Sequence, residues 1–286
     1  MADIEGEVKY PTGFSMKDVV AWGSTGLVVH DEASQTVIKA PFWDDGGPRV
    51  IREREIYERL TQRGGHPRIL RYYGTFEDGI RLEYVPNGSI RMFYHAQEQS
   101  GISFEHRLRW ATQIAEALGF LHSAGIIHGD LTCHDIFLDE GLNAKVAGFG
   151  GSSLDGSELL ICIAPSHEYP GPVLSTQGDI FALGSVLYEI VTGSPPYVGL
   201  SDTEIEDRYK KGNFAETASL GEMGVIIRKC WLGVWRSRVA CSGPKTRYIM
   251  PTIASQVQDR SNTMQFGLDL DQHQQSVPEV ASALCK

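Results

Sequence analysis

Cysteine is scarce in this chain, and the five present (Cys133, Cys162, Cys230, Cys241 and Cys285) show no paired spacing. No CxxC or Cys/His cluster resembles a zinc site, so a disulfide framework or a structural metal is not expected. Free, reduced thiols point to an intracellular protein, cytoplasmic or nuclear. Long apolar runs are missing too. The most apolar stretch, Ile180 to Val191, is about half of the ~20 residues that cross a bilayer, and reads as a buried core helix. The first residues, MADIEGEVKYPTG, are acidic and polar where a secretory leader is basic and then apolar. Basic residues are outnumbered, 26 Lys and Arg against 36 Asp and Glu, for a net charge of −10. That balance argues against nucleic acid or an anionic membrane as the main partner. What remains is 42% apolar and 22% charged, the composition of an ordinary globular protein.

The chain changes character along its length, without an internal repeat. Val19-Val20, Leu27-Val28-Val29 and Thr36-Val37-Ile38 are short apolar runs between Gly, Ser and Asp turn signals, which predicts strands. From Arg49 to Leu60, apolar residues at 51, 56, 57 and 60 are set among dense charge, the pattern of an amphipathic helix. Gly64-Gly65-His66-Pro67 stops it. Two more strands, Ile69–Phe76 and Ile80–Val85, flank the hairpin signal Glu77-Asp78-Gly79. Beyond Pro86-Asn87-Gly88, a long helix is predicted from Phe104 to Ser123, with Leu108, Ala111, Ile114, Ala115, Leu118 and Leu121 on one face. Gly-rich loops run from 124 to 175, and an apolar helix covers 179–192. The expected class is α+β: a small β-rich lobe, a hinge near 83–88, and a larger helical lobe. After Val234 the chain is polar and aperiodic, with one short helix expected at 278–284.

Several strings stand out in order. Ala21-Trp22-Gly23-Ser24-Thr25-Gly26-Leu27-Val28 is a glycine-rich turn between strands; glycines let backbone N–H groups approach phosphate oxygens closely. Thr36-Val37-Ile38-Lys39 ends a strand on a lysine, and Glu53 sits in the following helix in phase with Ile56, Tyr57 and Leu60. Glu55 is the competing carboxylate, but it puts Tyr57 and Leu60 out of phase. Then come His128-Gly129-Asp130-Leu131-Thr132-Cys133-His134-Asp135, Ala147-Gly148-Phe149-Gly150, Ala164-Pro165-Ser166, and Gly178-Asp179-Ile180-Phe181-Ala182-Leu183-Gly184. Ile226-Ile227-Arg228-Lys229-Cys230-Trp231 closes the series.

Together, over roughly residues 14 to 232, these strings resemble the eukaryotic protein kinase family. The resemblance implies a two-lobed protein-kinase-like fold. Residues 1–13 would be an N-terminal extension, 14–85 the small lobe, 86–233 the large lobe, and 234–286 a divergent tail. It implies ATP with Mg²⁺ as cofactors and a protein as substrate or partner. Lys39 would pair with the phosphates, Glu53 would hold Lys39, and Asp130 would accept the substrate hydroxyl proton. Ala21, Gly23 and Gly26 would cover the phosphates. Leu82 would guard the back of the adenine slot, Glu83 and Val85 would offer hinge backbone groups, and Val28, Val37 and Phe137 would sandwich the ring. Val37 and Phe137 are larger than the usual Ala and Leu, which implies a narrow slot.

The departures bear on activity. Gly148 stands where the family places the metal-binding Asp, so Asp135, in place of an Asn, becomes the metal ligand the resemblance implies, with Asp130 beside it. Gly129 replaces an Arg that senses a phosphorylated activation loop, and Thr132 replaces a Lys. Ser166 cannot form the usual Glu–Arg ion pair, and the segment after Trp231 that should supply the Arg does not match the family, so an incompletely closed large lobe is expected. The segment 148–166 contains no Thr or Tyr. The expectation is an ATP-binding, pseudokinase-like domain with impaired phosphoryl transfer. The alternatives are an active kinase using Asp130 and Asp135, and an interaction module without nucleotide.

Overall fold

Five short strands in the first third of the chain pair into one antiparallel sheet, in the order β1-β2-β3-β5-β4. The computed structural model describes residues 8–23, 26–42, 47–96 and 102–233. The strands are β1 (Val19–Trp22), β2 (Gly26–Asp31), β3 (Thr36–Pro41), β4 (Tyr72–Phe76) and β5 (Gly79–Glu83). Helix α1 (Gly47–Gln62) lies against this sheet, burying Val50, Glu53, Ile56, Tyr57 and Leu60. Those positions follow the 3.6-residue period, with charged residues on the opposite face.

Two of the expected strands begin or end elsewhere. The run from Ile69 forms sheet only from Tyr72, because Ile69 makes a parallel bridge with Val146 instead. Leu70 N–H donates to Val146 O at 3.0 Å, and Val146 N–H to Arg68 O at 2.8 Å. Residues 68–70 are thus stitched to the other lobe. The hairpin turns on Glu77 and Asp78 alone, since Phe76 pairs with Gly79. Gly79 is a strand residue whose missing side chain lets the Lys39 carbonyl approach. The following strand ends at Glu83 rather than Val85.

The helical lobe is built on α2 (Ile90–Ala96), α3 (Phe104–Ser123), α4 (Thr176–Thr192), α5 (Asp202–Lys210) and α6 (Gly221–Leu232). Helix α3 spans the residues expected and buries all six of its predicted apolar positions. Ser103 caps its N-terminus through the His106 N–H. Helix α4 begins at Thr176, capped by Ser175, and ends on Gly193 at φ +81°. The stretch expected as loops, 124–175, carries four short strands: β6 (Ile126–Ile127), β7 (Ile136–Leu138), β8 (Ala144–Val146) and β9 (Ser153–Leu154). β6 pairs with β9 and β7 with β8.

Helix α6 closes against α4 by close packing. Gly184 leaves room for Cys230 and the Trp231 indole, and Trp231 Nε1–H donates to Ser185 Oγ at 3.1 Å. Phe214 stacks on Trp231 at 5.7 Å. The packing of α6 on α4 thus extends to Trp231, and the segment on which the expected incomplete closure of the large lobe turns begins beyond it. The tail 234–286 and its expected helix at 278–284 lie outside the described residues. None of the described helices is long and apolar enough to cross a membrane.

Candidate active site

Lys39 and Glu53 meet between sheet and helix. β3 directs Lys39 toward α1, and its Nζ lies 2.5 Å from Glu53 Oε2. Glu53 is 1% exposed, whereas Glu55 is exposed and pairs with Arg52 on its own helix. A buried carboxylate requires such a partner. The register of α1 thus selects Glu53, the residue in phase with Ile56, Tyr57 and Leu60.

Across the cleft, Asp179 at the start of α4 holds the loop that carries Asp130. Its carboxylate accepts from His128 N–H and Gly129 N–H, both at 2.9 Å, and its Oδ2 lies 2.7 Å from His122 Nε2. Burial alone would push the Asp179 carboxyl up, but His122, His128 and the Gly129 amide outweigh it and hold it below the ordinary range. Asp130, two residues on, has its carboxyl pushed up, chiefly by burial. The Ala164 N–H donates to its Oδ1 at 3.4 Å.

Asp135 is bound tightly within the same loop. Its Oδ2 accepts from Thr132 Oγ1–H at 2.7 Å and Thr132 N–H at 3.1 Å. Burial pushes its carboxyl up to about 6, against the opposing pull of His128 and the Thr132 hydrogen bonds. Its Oδ1 faces Gly148, which adopts φ +84° and ψ +37°. A Cβ built at Gly148 would overlap that oxygen. Phe149, the next residue, is fully buried, edge-on to Tyr57 at 5.1 Å and to His128 at 5.6 Å.

Lys39, Asp130, Asp135, Gly148 and Gly23 line one cleft of about 450 Å³. The other predicted positions are not among its lining residues. Leu82 and Val85 are buried, Val37 and Phe137 pack against the main core, and neither these nor Val28 line the cleft. Glu83 is anchored at both ends: its carboxylate accepts from Lys145 Nζ at 2.7 and 2.8 Å, and its N–H donates to Arg71 O at 2.8 Å. In the glycine-rich turn, Gly23 N–H donates to Gly26 O at 2.8 Å. Gly26 is required by β3, since a Cβ there would collide with Ala40 O. Ala21 is exposed on β1.

Several lining residues went unremarked in the sequence. Arg49, from the first turn of α1, joins the lining together with His134, Ile161 and Cys162. Farther along α1, Arg52 Nη1 donates to Ser152 O at 2.9 Å, Ser157 Oγ at 2.6 Å and Glu158 O at 3.3 Å. Arg59 reaches Asp155 at 2.7 Å. Leu159 fills the space of a side chain at Gly129, which sits at φ +81°. For Arg49, Arg52 and Arg59 the signal in the sequence was the excess of Arg in α1.

Comparison with known proteins follows the same outline. The chain is similar to the cell cycle serine/threonine-protein kinase CDC5/MSD2 of Saccharomyces cerevisiae, 29% identical over 199 residues that cover 64% of this chain and 27% of that protein. It is also similar to 3-phosphoinositide-dependent protein kinase 1 of Homo sapiens, 32% identical over 165 residues, 52% of this chain and 28% of that protein. A serine/threonine-protein kinase SIK3 homolog of Danio rerio is 31% identical over 198 residues, 64% of this chain and 16% of that protein. The chain thus spans less than a third of the length of each of these three curated relatives. The sequence model of the family described as "Protein tyrosine and serine/threonine kinase" matches residues 48–243, beginning just after the strand that carries Lys39. With a small antiparallel sheet over a helical lobe and that match across more than half its length, the chain belongs to the protein tyrosine and serine/threonine kinase family.

Proposed function

We propose that this kinase domain binds ATP and is impaired in phosphoryl transfer. The observation that carries the reading is the pair Asp135 and Gly148. The position that should supply a metal-binding carboxylate has no side chain, and the neighbouring carboxylate oxygen fills its space. Phosphoryl transfer is mostly positioning plus charge stabilisation, so a missing stabilising group costs ~10²–10³ in rate.

The family generally uses ATP and Mg²⁺, and the donor set here fits the first better than the second. Mg²⁺ takes near-octahedral oxygen ligands. The cleft offers Asp130, already accepting from Ala164 N–H, and Asp135, whose Oδ2 is occupied twice by Thr132. Among the described residues no group of three His, Cys, Asp or Glu is placed to hold a metal. The remaining machinery supports nucleotide binding. Lys39, oriented by Glu53, would pair with phosphate oxygens, and Gly23 would approach them from the turn, with Ala21 and Gly26 shaping it. Leu82, Glu83, Val85, Val28, Val37 and Phe137 would form the adenine end. Asp130 would face the hydroxyl of a protein substrate, with its proton affinity raised. An intracellular site of action, cytoplasmic or nuclear, accompanies this reading.

Asp130 and Asp135 lining one cleft favours a second reading, an active kinase in which Asp135 takes over the metal. Transfer of labelled γ-phosphate to a generic protein substrate separates the two. The proposal expects turnover far below the ~1–100 s⁻¹ of ordinary kinases. Turnover in that range, abolished by Asp135→Ala, would establish the second reading instead. An ATP-dependent rise in Tm excludes a module that has lost nucleotide altogether.

A further inference from the structure

We propose that the phosphate end of this cleft binds nucleotide phosphates with two side-chain cations, Lys39 and Arg49, and needs no divalent ion to do so. This rests on reading the cleft as a nucleotide site and adds how its charge is balanced.

The first ground is the donor set, which does not suit a divalent ion. Gly148 supplies no ligand, Asp135 Oδ2 is taken by two Thr132 hydrogen bonds, and Asp130 Oδ1 receives the Ala164 amide. That leaves two carboxylates, each already hydrogen-bonded through one oxygen, for an ion that takes near-octahedral oxygen ligands.

The second ground is where Arg49 stands. It lies one turn before Glu53 on the face of α1 turned to the cleft. Both residues flank Gly150: a Cβ there would lie 3.3 Å from Arg49 O, 3.5 Å from Arg49 Cβ and 3.6 Å from Glu53 Oε2. α1 passes close to Gly150, and that approach brings Arg49 into the cleft lining with Gly148 and Gly151. Its charge reaches Asp130, where it pulls the carboxyl down against burial. Lys39 lies in the same lining on the β3 side. A guanidinium is permanently charged and presents a planar fork that matches phosphate oxygens, which a single ammonium cannot do. Lys39, held by Glu53, and Arg49 thus bring two cations to the same lining. A charge that a metal supplies in other members of the family is here carried by the chain.

Calorimetric titration of the full chain with ATP, once with Mg²⁺ and once with EDTA, tests this. The expected result is binding in both buffers with Kd values within about threefold of each other. Arg49→Met, which keeps the apolar stem, should weaken binding in EDTA by about tenfold or more, and Arg49→Lys should recover part of it. The melting curve of each unliganded variant checks that it is folded, and Arg49→Gln serves if Arg49→Met is not. Binding that disappears in EDTA overturns the proposal, as does a folded Arg49→Met that binds ATP like the native chain. Absence of binding in both buffers overturns the nucleotide reading itself, which is a different result.

Discussion

Asp135 Oδ1 and a side chain at Gly148 compete for one space: the carboxylate oxygen lies where a Cβ at position 148 would grow. The two departures from the family pattern, Asp for Asn and Gly for Asp, are therefore one local arrangement. Restoring Asp at position 148 alone meets both a steric overlap and a like charge. Gly148→Asp by itself is expected to leave phosphoryl transfer near background. Gly148→Asp with Asp135→Asn removes the repulsion between neighbouring carboxylates, and is expected to exceed the single variant by about tenfold or more. A radiolabel transfer assay on both variants decides it.

Much of this was legible beforehand. The register of α3 and the pairing of Lys39 with Glu53 rather than Glu55 follow from local periodicity and from motif order. What the sequence concealed were contacts between distant segments of the chain. Leu159 filling the space at Gly129, Asp135 filling the space at Gly148, and Arg49 joining the cleft all bring together positions 13 or more residues apart. The strand expected at Ile69 was displaced for the same reason: Val146, in the other lobe, takes its first residues.

Asp135 should make stability depend on pH. Its carboxyl is raised to about 6, mainly by burial, above an unfolded value of about 3.9. Between these values the native state binds more protons than the unfolded one, so this group's contribution falls as pH rises and is most unfavourable above 6. Asn can still accept both Thr132 hydrogen bonds. Asp135→Asn is expected to stabilise the chain by roughly 2–3 kcal/mol at pH 8, and by clearly less at pH 5. Denaturant unfolding at the two pH values measures it; equal gains at both would contradict the account.

Gly129 is expected to resist reversion to the family's Arg. Its φ of +81° disfavours any side chain, and Leu159 occupies the space one would need. Left-handed backbone costs ~1–2 kcal/mol in a residue with a Cβ, and the overlap adds to it. Gly129→Arg should lower stability by roughly 2–4 kcal/mol. Denaturant unfolding of the variant beside the native chain reads this directly.

Arg52 ties α1 to the segment 152–158 through three acceptors. Arg52→Met should cost roughly 1–3 kcal/mol and speed proteolytic cleavage within that segment. Glu58→Ala, on the exposed face of α1, should do neither. Gel analysis of limited proteolysis distinguishes them.

The central claim is nucleotide binding without efficient transfer. It is tested most directly by a single-turnover experiment on the native chain, saturated with γ-labelled ATP as confirmed by equilibrium binding on the same preparation, with Mg²⁺ and excess protein substrate. The account predicts saturable ATP binding and label that stays on the nucleotide over many minutes. Transfer of one equivalent of label within about a second, the pace of an ordinary kinase, would contradict it.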